Sequence, residues 1–226
     1  MSFQLSEVKR EAEFRDLVET EYLAYQKPYN AFWEVLKGPN VEECTQRQWS
    51  WHTGTKGSHW LKVTENENVI GGAEWIVHEK APFETPQPII KADWWPEGPL
   101  KSVSNHMLYT FFSGRPSVMN RPHLHYRRRG VGRLMMEWGC KLADEMGLQC
   151  FVESTDDGRE LYKSAGFVAV HPFFLDAQPS NEQEGDNPEW LEAKEKITPE
   201  PYRVWLMWRP EGGVFKDGKI GFPWEG

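Results

Sequence analysis

Residues 127–170 read RRRGVGRLMMEWGCKLADEMGLQCFVESTDDGRELYKSAGFVAV, a basic turn with two glycines that runs into a series of alternating elements. From Gly130 to Met146 the apolar residues Val131, Leu134, Met135, Trp138, Leu142 and Met146 recur at helical spacing, and Gly147 is placed to end the helix. Cys150-Phe151-Val152-Glu153 follows as a short strand. Asp157 to Ala165 has the length of a two-turn helix closed by Gly166, and Phe167 to Val170 returns as a strand. The stretch is therefore an αβαβ run.

Its first seven residues carry the most chemistry. Arg127, Arg128, Arg129, Gly130, Val131, Gly132 and Arg133 lead directly into the helix, so backbone without side chains sits at a helix N-terminus and its free N–H groups. Such a turn suits an anion, because glycine lets a phosphate oxygen approach the main chain and the helix dipole and arginines add positive charge. Pyrophosphate is the natural ligand. A glycine pair also occurs in plain tight turns, and a basic run is often only a solvated face.

Upstream, Phe3 to Val8 alternates as a strand, and Phe14, Leu17, Val18, Tyr22 and Tyr25 share one face of a following helix. Residues 59–63 and 69–77 flank Asn66-Glu67-Asn68 as a hairpin, with a bulge expected at Gly71-Gly72. Pro82, Pro86, Pro88, Pro96 and Pro99 exclude regular structure from Ala81 to Pro99, where Trp94-Trp95 suggests an anchored loop or a substrate lid. Ser102 to Phe112 has a helical apolar face and stops at Ser113-Gly114-Arg115-Pro116. Downstream, Asn181 to Glu200 is acidic and reads as an exposed insertion, with a partial helix over Trp190 to Lys196, away from any site. Tyr202 to Trp208 is a strand. These limits describe a single domain over 1–210, an acidic insertion at about 175–200, and a tail over 211–226.

Composition narrows the function classes. The 226 residues suit one domain, and 26 Lys and Arg against 34 Asp and Glu leave a net charge of −8, which repels phosphate polymers and anionic membranes. Nucleic acid and membrane are therefore not expected as partners. No run approaches the ~18 apolar residues of a membrane span, and the charged start lacks the apolar core of a signal peptide, so a cytoplasmic protein is expected. Cys44, Cys140 and Cys150 are odd in number and widely spaced, and indicate neither a disulfide framework nor a zinc site. His123 and His125 would point the same way on a strand, but no third ligand is spaced nearby, so no metal is expected; either could serve as a base. The 12 Trp read as core and loop anchors or as a stacking surface.

With this order of elements the sequence resembles the GNAT family of acetyl-CoA-dependent N-acetyltransferases. Arg127-x-x-Gly130-x-Gly132 looks like the family's pyrophosphate signature, with Arg where Gln is common, and Leu161-Tyr162-Lys163-Ser164-Ala165-Gly166-Phe167 looks like its second signature. Trp205-Leu206-Met207-Trp208-Arg209-Pro210 resembles an ending seen in a fungal-type branch. The resemblance implies an α/β (α+β) acyl-CoA N-acyltransferase fold: a mixed, mostly antiparallel sheet with helices on both faces, splayed so that pantetheine lies in the gap. It implies acetyl-CoA as co-substrate, bound through Arg127 to Arg133, and a small-molecule or peptide amine as acceptor. Attack of the amine on the thioester builds an anionic intermediate, and the departing thiolate gains from protonation. Tyr162 matches the family's usual general acid, or packs its helix on the sheet. Glu153 and Glu74 are candidates for taking the amine's proton, and either could simply face solvent.

In the family an apolar strand precedes the pyrophosphate turn. Here Pro122 lacks an N–H and His123 to Tyr126 is barely four residues, so the central strand looks shortened. A missing strand would leave open edges beside the cofactor cleft, which raises a second reading: a catalytically impaired CoA-binding or non-enzymatic GNAT-fold protein. The loops around Trp94-Trp95 and Trp49-Ser50-Trp51 are candidates for an acceptor pocket, by association with their aromatic content alone.

Overall fold

The computed structural model describes residues 3–85, 87–129, 132–215 and 221–224, with backbone alone for 126–129. Its elements run β1 (Gln4–Glu7), α1 (Glu11–Ala24), α2 (Ala31–Lys37), α3 (Val41–Gly54), β2 (Ser58–Glu65), β3 (Asn68–His78), α4 (Pro99–Ser113), α5 (Arg115–Met119) and β4 (His123–Arg129). They continue with α6 (Gly132–Met146), β5 (Gln149–Ser154), a single 3-10 turn (Asp156–Gly158), α7 (Arg159–Ser164), β6 (Val168–Leu175), α8 (Glu182–Gly185), α9 (Pro188–Ile197) and β7 (Tyr202–Arg209).

Among the described residues the strands form one seven-stranded sheet in the order β1-β2-β3-β4-β5-β7-β6. Every neighbouring pair is antiparallel except β4 and β5, which run parallel. That exception follows from connectivity, since α6 is the crossover between β4 and β5 and returns the chain to the same end of the sheet. Side-chain alternation splits the sheet into two faces. Ala73, Trp75, Leu124, Cys150, Val152 and Met207 share a core with Met135, Met136 and Ala143 of α6. On the opposite face Phe151, Leu206 and Trp208 pack with Val118 and Met119 of α5, and Val204 packs with α2, α4 and α9.

The elements begin and end where local chemistry dictates. Asn30 and Asn40 cap α2 and α3, accepting from the Trp33 and Glu43 amides at 2.8 and 3.1 Å. Asn66 and Glu67 take left-handed φ of 49° and 67°, as a two-residue hairpin turn requires. The bulge falls one position before the expected glycines, because Val63 pairs with Gly71 and Thr64 with Val69, leaving Ile70 extra.

Two expectations are corrected here. The central strand β4 has seven residues rather than four, because Arg127, Arg128 and Arg129 are not turn but strand, paired to Ala73 and its neighbours on β3. Backbone hydrogen bonding to the long β3 continues the strand through residues whose type suggested a loop. The acidic segment is also no exposed insertion. Pro188 opens α9, and Trp190, Ala193 and Ile197 lie buried against Val103, Met107 and Leu108 of α4. Three apolar residues at helical spacing suffice to dock a helix whose other faces are charged.

Candidate active site

The parallel strands β4 and β5 part company in mid-sheet. Their register runs from His123↔Gln149 to Tyr126↔Val152 and stops, while β4 continues beside β3 to Arg129 and β5 continues beside β7 to Ser154. The backbone of Arg127 to Arg129 therefore faces an opening on its β5 side, and an open strand edge can pair with an extended ligand. The chain then enters α6 at Gly132 and Arg133; Gly130 and Val131 lie outside the described residues. Gly132 touches the next element closely. A Cβ there would come within 2.2 Å of Leu161 Cδ2, so the start of α6 abuts the residue preceding Tyr162.

Beyond the opening lies a cavity of about 870 Å³, and both Glu153 and Tyr162 line it. Glu153 is the penultimate residue of β5 and points to the face opposite α6. Arg115 grips its carboxylate with two bonds, Nε to Oε1 at 2.6 Å and an Nη to Oε2 at 2.9 Å, and His125 Nε2 donates to Oε2 at 2.6 Å. Burial by itself would raise the Glu153 pKa, but the Arg115 and His125 charges and hydrogen bonds outweigh it and hold the carboxyl below the ordinary carboxylate range. Glu153 is thus an ionised, clamped group and a reluctant proton acceptor. Tyr162 is fully buried, its ring meeting Phe167 edge-on at 5.7 Å.

The structure does not bring Glu74 to this place. Its side chain is absent from the cavity wall and accepts from Ser58 Oγ at 2.9 Å, which in turn is 2.8 Å from His52 Nδ1. His123 and His125 do project to one side of β4, as the spacing implies. His123 is buried and donates from Nδ1 to the Arg121 carbonyl at 2.6 Å, and desolvation pushes its pKa down to about 3. It stays neutral and has the character of a structural group.

The candidate aromatic loops for an acceptor pocket are elsewhere. Trp94 and Trp95 both donate to the Val35 carbonyl, at 2.8 and 3.1 Å, and Arg47 lies over the Trp94 ring, so this segment is pinned to α2 as an anchor. Trp49 packs against Phe14. The cavity walls come instead from the α1–α2 connection, α2, the end of α9 and β7.

No protein-family model matches the sequence, and no curated protein matches it. Solved structures do. The Salmonella typhimurium protein yncA, solved with its cofactor acetyl-CoA, superposes with a TM-score of 0.52 over 98% of this chain and 98% of its own at 10% identity. The C-terminal condensation domain of Ebony in complex with beta-alanyl-dopamine gives 0.54 over 92% and 99% at 14% identity. A Corynebacterium glutamicum protein titled histone acetyltransferase HPA2 and related acetyltransferase gives 0.50 over 93% and 97%, also at 14%. The fold is that of the GNAT acetyltransferases.

Within this GNAT fold, the sequence signatures converge on the fork between β4 and β5, with Gly132 against Leu161 on one side and the cavity on the other. Sequence reasoning missed Arg115, read only as part of a helix stop, because its partner Glu153 is 38 residues away. It also missed Tyr29 and the Ile197–Thr198 segment, which meet where Tyr29 Oη donates to the Ile197 carbonyl at 2.8 Å. Nothing local marks such a pair.

Proposed function

We propose that the chain is an acetyl-CoA-dependent N-acetyltransferase that acetylates a primary amine by direct attack. The observation that carries this reading is the parting of β4 and β5 beside a cavity that Tyr162 and Glu153 line. Acetyl-CoA supplies an activated acetyl thioester, and the chain offers residues for each part of it. The open β4 edge at Arg127 to Arg129 suits the amides of the pantetheine arm, and Arg127 to Arg133, with Gly130 and Gly132, suits the pyrophosphate. Tyr162 acts as the general acid that gives its proton to the departing sulfur as the C–N bond forms and the C–S bond breaks. Glu153 orients the amine by accepting an N–H, and the amine's surplus proton goes to solvent. Glu74, outside the cavity, is set aside as the base.

The same reading takes 1–210 as one GNAT-like domain that carries the α8–α9 segment as an elaboration between β6 and β7, and takes a fungal-type branch and a cytoplasmic setting from the sequence. The impaired alternative loses its motive, since β4 pairs on both sides.

Calorimetric titration with acetyl-CoA, dephospho-CoA and acetate tests the reading. Binding that requires the pyrophosphate is expected, and Gly130→Asp, which sets a carboxylate against that phosphate, weakens it by at least ~10-fold. A folded Gly130→Asp protein with unchanged affinity would overturn the placement, and no binding by the folded wild type would overturn the function.

A further inference from the structure

The cavity is more than the reacting end. Tyr162 and Glu153 stand at one part of its wall, and the remainder carries a group of aromatic side chains: Tyr25, Tyr29, Phe32 and Trp33 from the α1–α2 region, Phe174 from β6 and Tyr202 from β7. Several of these rings are fixed in place. Phe32 stacks on Phe111 with centroids 3.9 Å apart, Tyr25 meets Trp33 at 5.5 Å, and Tyr29 is tied to the end of α9 through its hydroxyl. A pre-formed aromatic wall favours a flat π-system and, through the ring quadrupoles, a cation attached to it.

The charges in the wall have one sign to spare. Arg203 is the cation there, and Asp156 engages it at 2.7 and 2.9 Å. Glu153 is matched by Arg115. Asp157 and Glu200 also line the cavity, and neither has an ion pair among the described residues. Among the described residues the wall therefore attracts a cationic ligand and has no spare positive group with which to receive an anionic one.

We infer that the acceptor is an arylalkylamine without a carboxylate, its ring held among Tyr29, Phe32 and Phe174 and its amino group directed toward Glu153 and Tyr162. The direction of the amino group rests on the acetyl-transfer reading; the ligand class rests on the cavity. An aromatic amino acid brings a carboxylate to an acidic wall and is rejected. A linear polyamine offers charge without a ring and forgoes the aromatic surface.

The test is calorimetric binding of phenethylamine, tryptamine, phenylalanine and spermidine to the full chain, with and without acetyl-CoA, followed by acetylation rates for each. The two arylalkylamines are expected to bind at least ~10-fold more tightly than phenylalanine or spermidine. Phe174→Ala and Asp157→Asn change exposed positions on the cavity wall that the fold does not depend on, and each is expected to weaken arylalkylamine binding by at least ~3-fold. Spermidine or phenylalanine binding as tightly as phenethylamine, or no effect of either variant, overturns the inference. Acetylation of spermidine alone would leave acetyl transfer standing and remove the aryl acceptor. Tight arylalkylamine binding without acetylation of any amine would do the reverse.

Discussion

Tyr162 and Glu153 approach one cavity from two elements, and their surroundings prepare them for different work. A fully buried phenol with an apolar ring partner loses little packing when its oxygen is removed, so Tyr162→Phe is expected to fold with stability within ~1 kcal/mol of wild type. As the proposed acid it should slow acetyl transfer by ~100-fold while leaving acetyl-CoA affinity unchanged. Rates measured from pH 6 to pH 10 that coincide for the two proteins would remove Tyr162 from the mechanism. Glu153 was readable as a carboxylate at the end of a strand, but its clamp was not. Arg115 comes from α5 and His125 from β4, and only folding of the sheet against α5 places them within 2.6 Å of its oxygens.

At the scale of elements, α6 shows why glycine inside a helix can be retained. Gly139 lies in the middle of the helix, where alanine ordinarily gains ~1 kcal/mol. A Cβ there would fall 1.8 to 2.3 Å from three atoms of the Trp75 ring, whose indole donates to the Met135 carbonyl at 3.0 Å. The ring is held at one end by that bond and by the sheet at the other, so it cannot give way. Gly139→Ala is therefore expected to destabilise the fold by ~1–3 kcal/mol in a urea melt, and a variant as stable as wild type would show that α6 can shift from β3. The helical period from Leu134 to Met146 was legible in the sequence; the closeness of α6 to β3 was not, since a lone mid-helix glycine gives no indication of what it faces. β4 taught the opposite lesson. Three successive arginines carry no strand signal, and partners on β3 supply the pairing that makes them one.

The whole molecule should be sensitive to acid. Burial lowers His123 to about 3 in the folded chain, against ~6.5 when unfolded, so the unfolded chain takes up a proton that the folded one refuses across that window. Stability there rises with pH and is lost as pH falls. Glu153 acts in the same sense further down, because its folded pKa lies below the ~4.3 of an unfolded glutamate and its contribution is lost once that carboxylate is protonated. The melting temperature is expected to fall between pH 7 and pH 4, and His123→Gln should flatten the upper part of the decline. An identical slope for the variant would show that His123 does not carry it.

The sequence alone determined the elements with strong periodicity, the two signatures, and a net charge of −8. These follow from short-range rules: apolar spacing, glycine at turns, and summed charge. The tertiary structure decided where β4 and β5 separate, which of two glutamates reaches the cavity, and that Trp94 and Trp95 are anchors rather than a pocket. It also brought the α1–α2 aromatics against the end of α9, which a hydrogen bond spanning 168 residues between Tyr29 and Ile197 holds together. Contacts of that separation depend on how the layers stack, and no local pattern of residues encodes them.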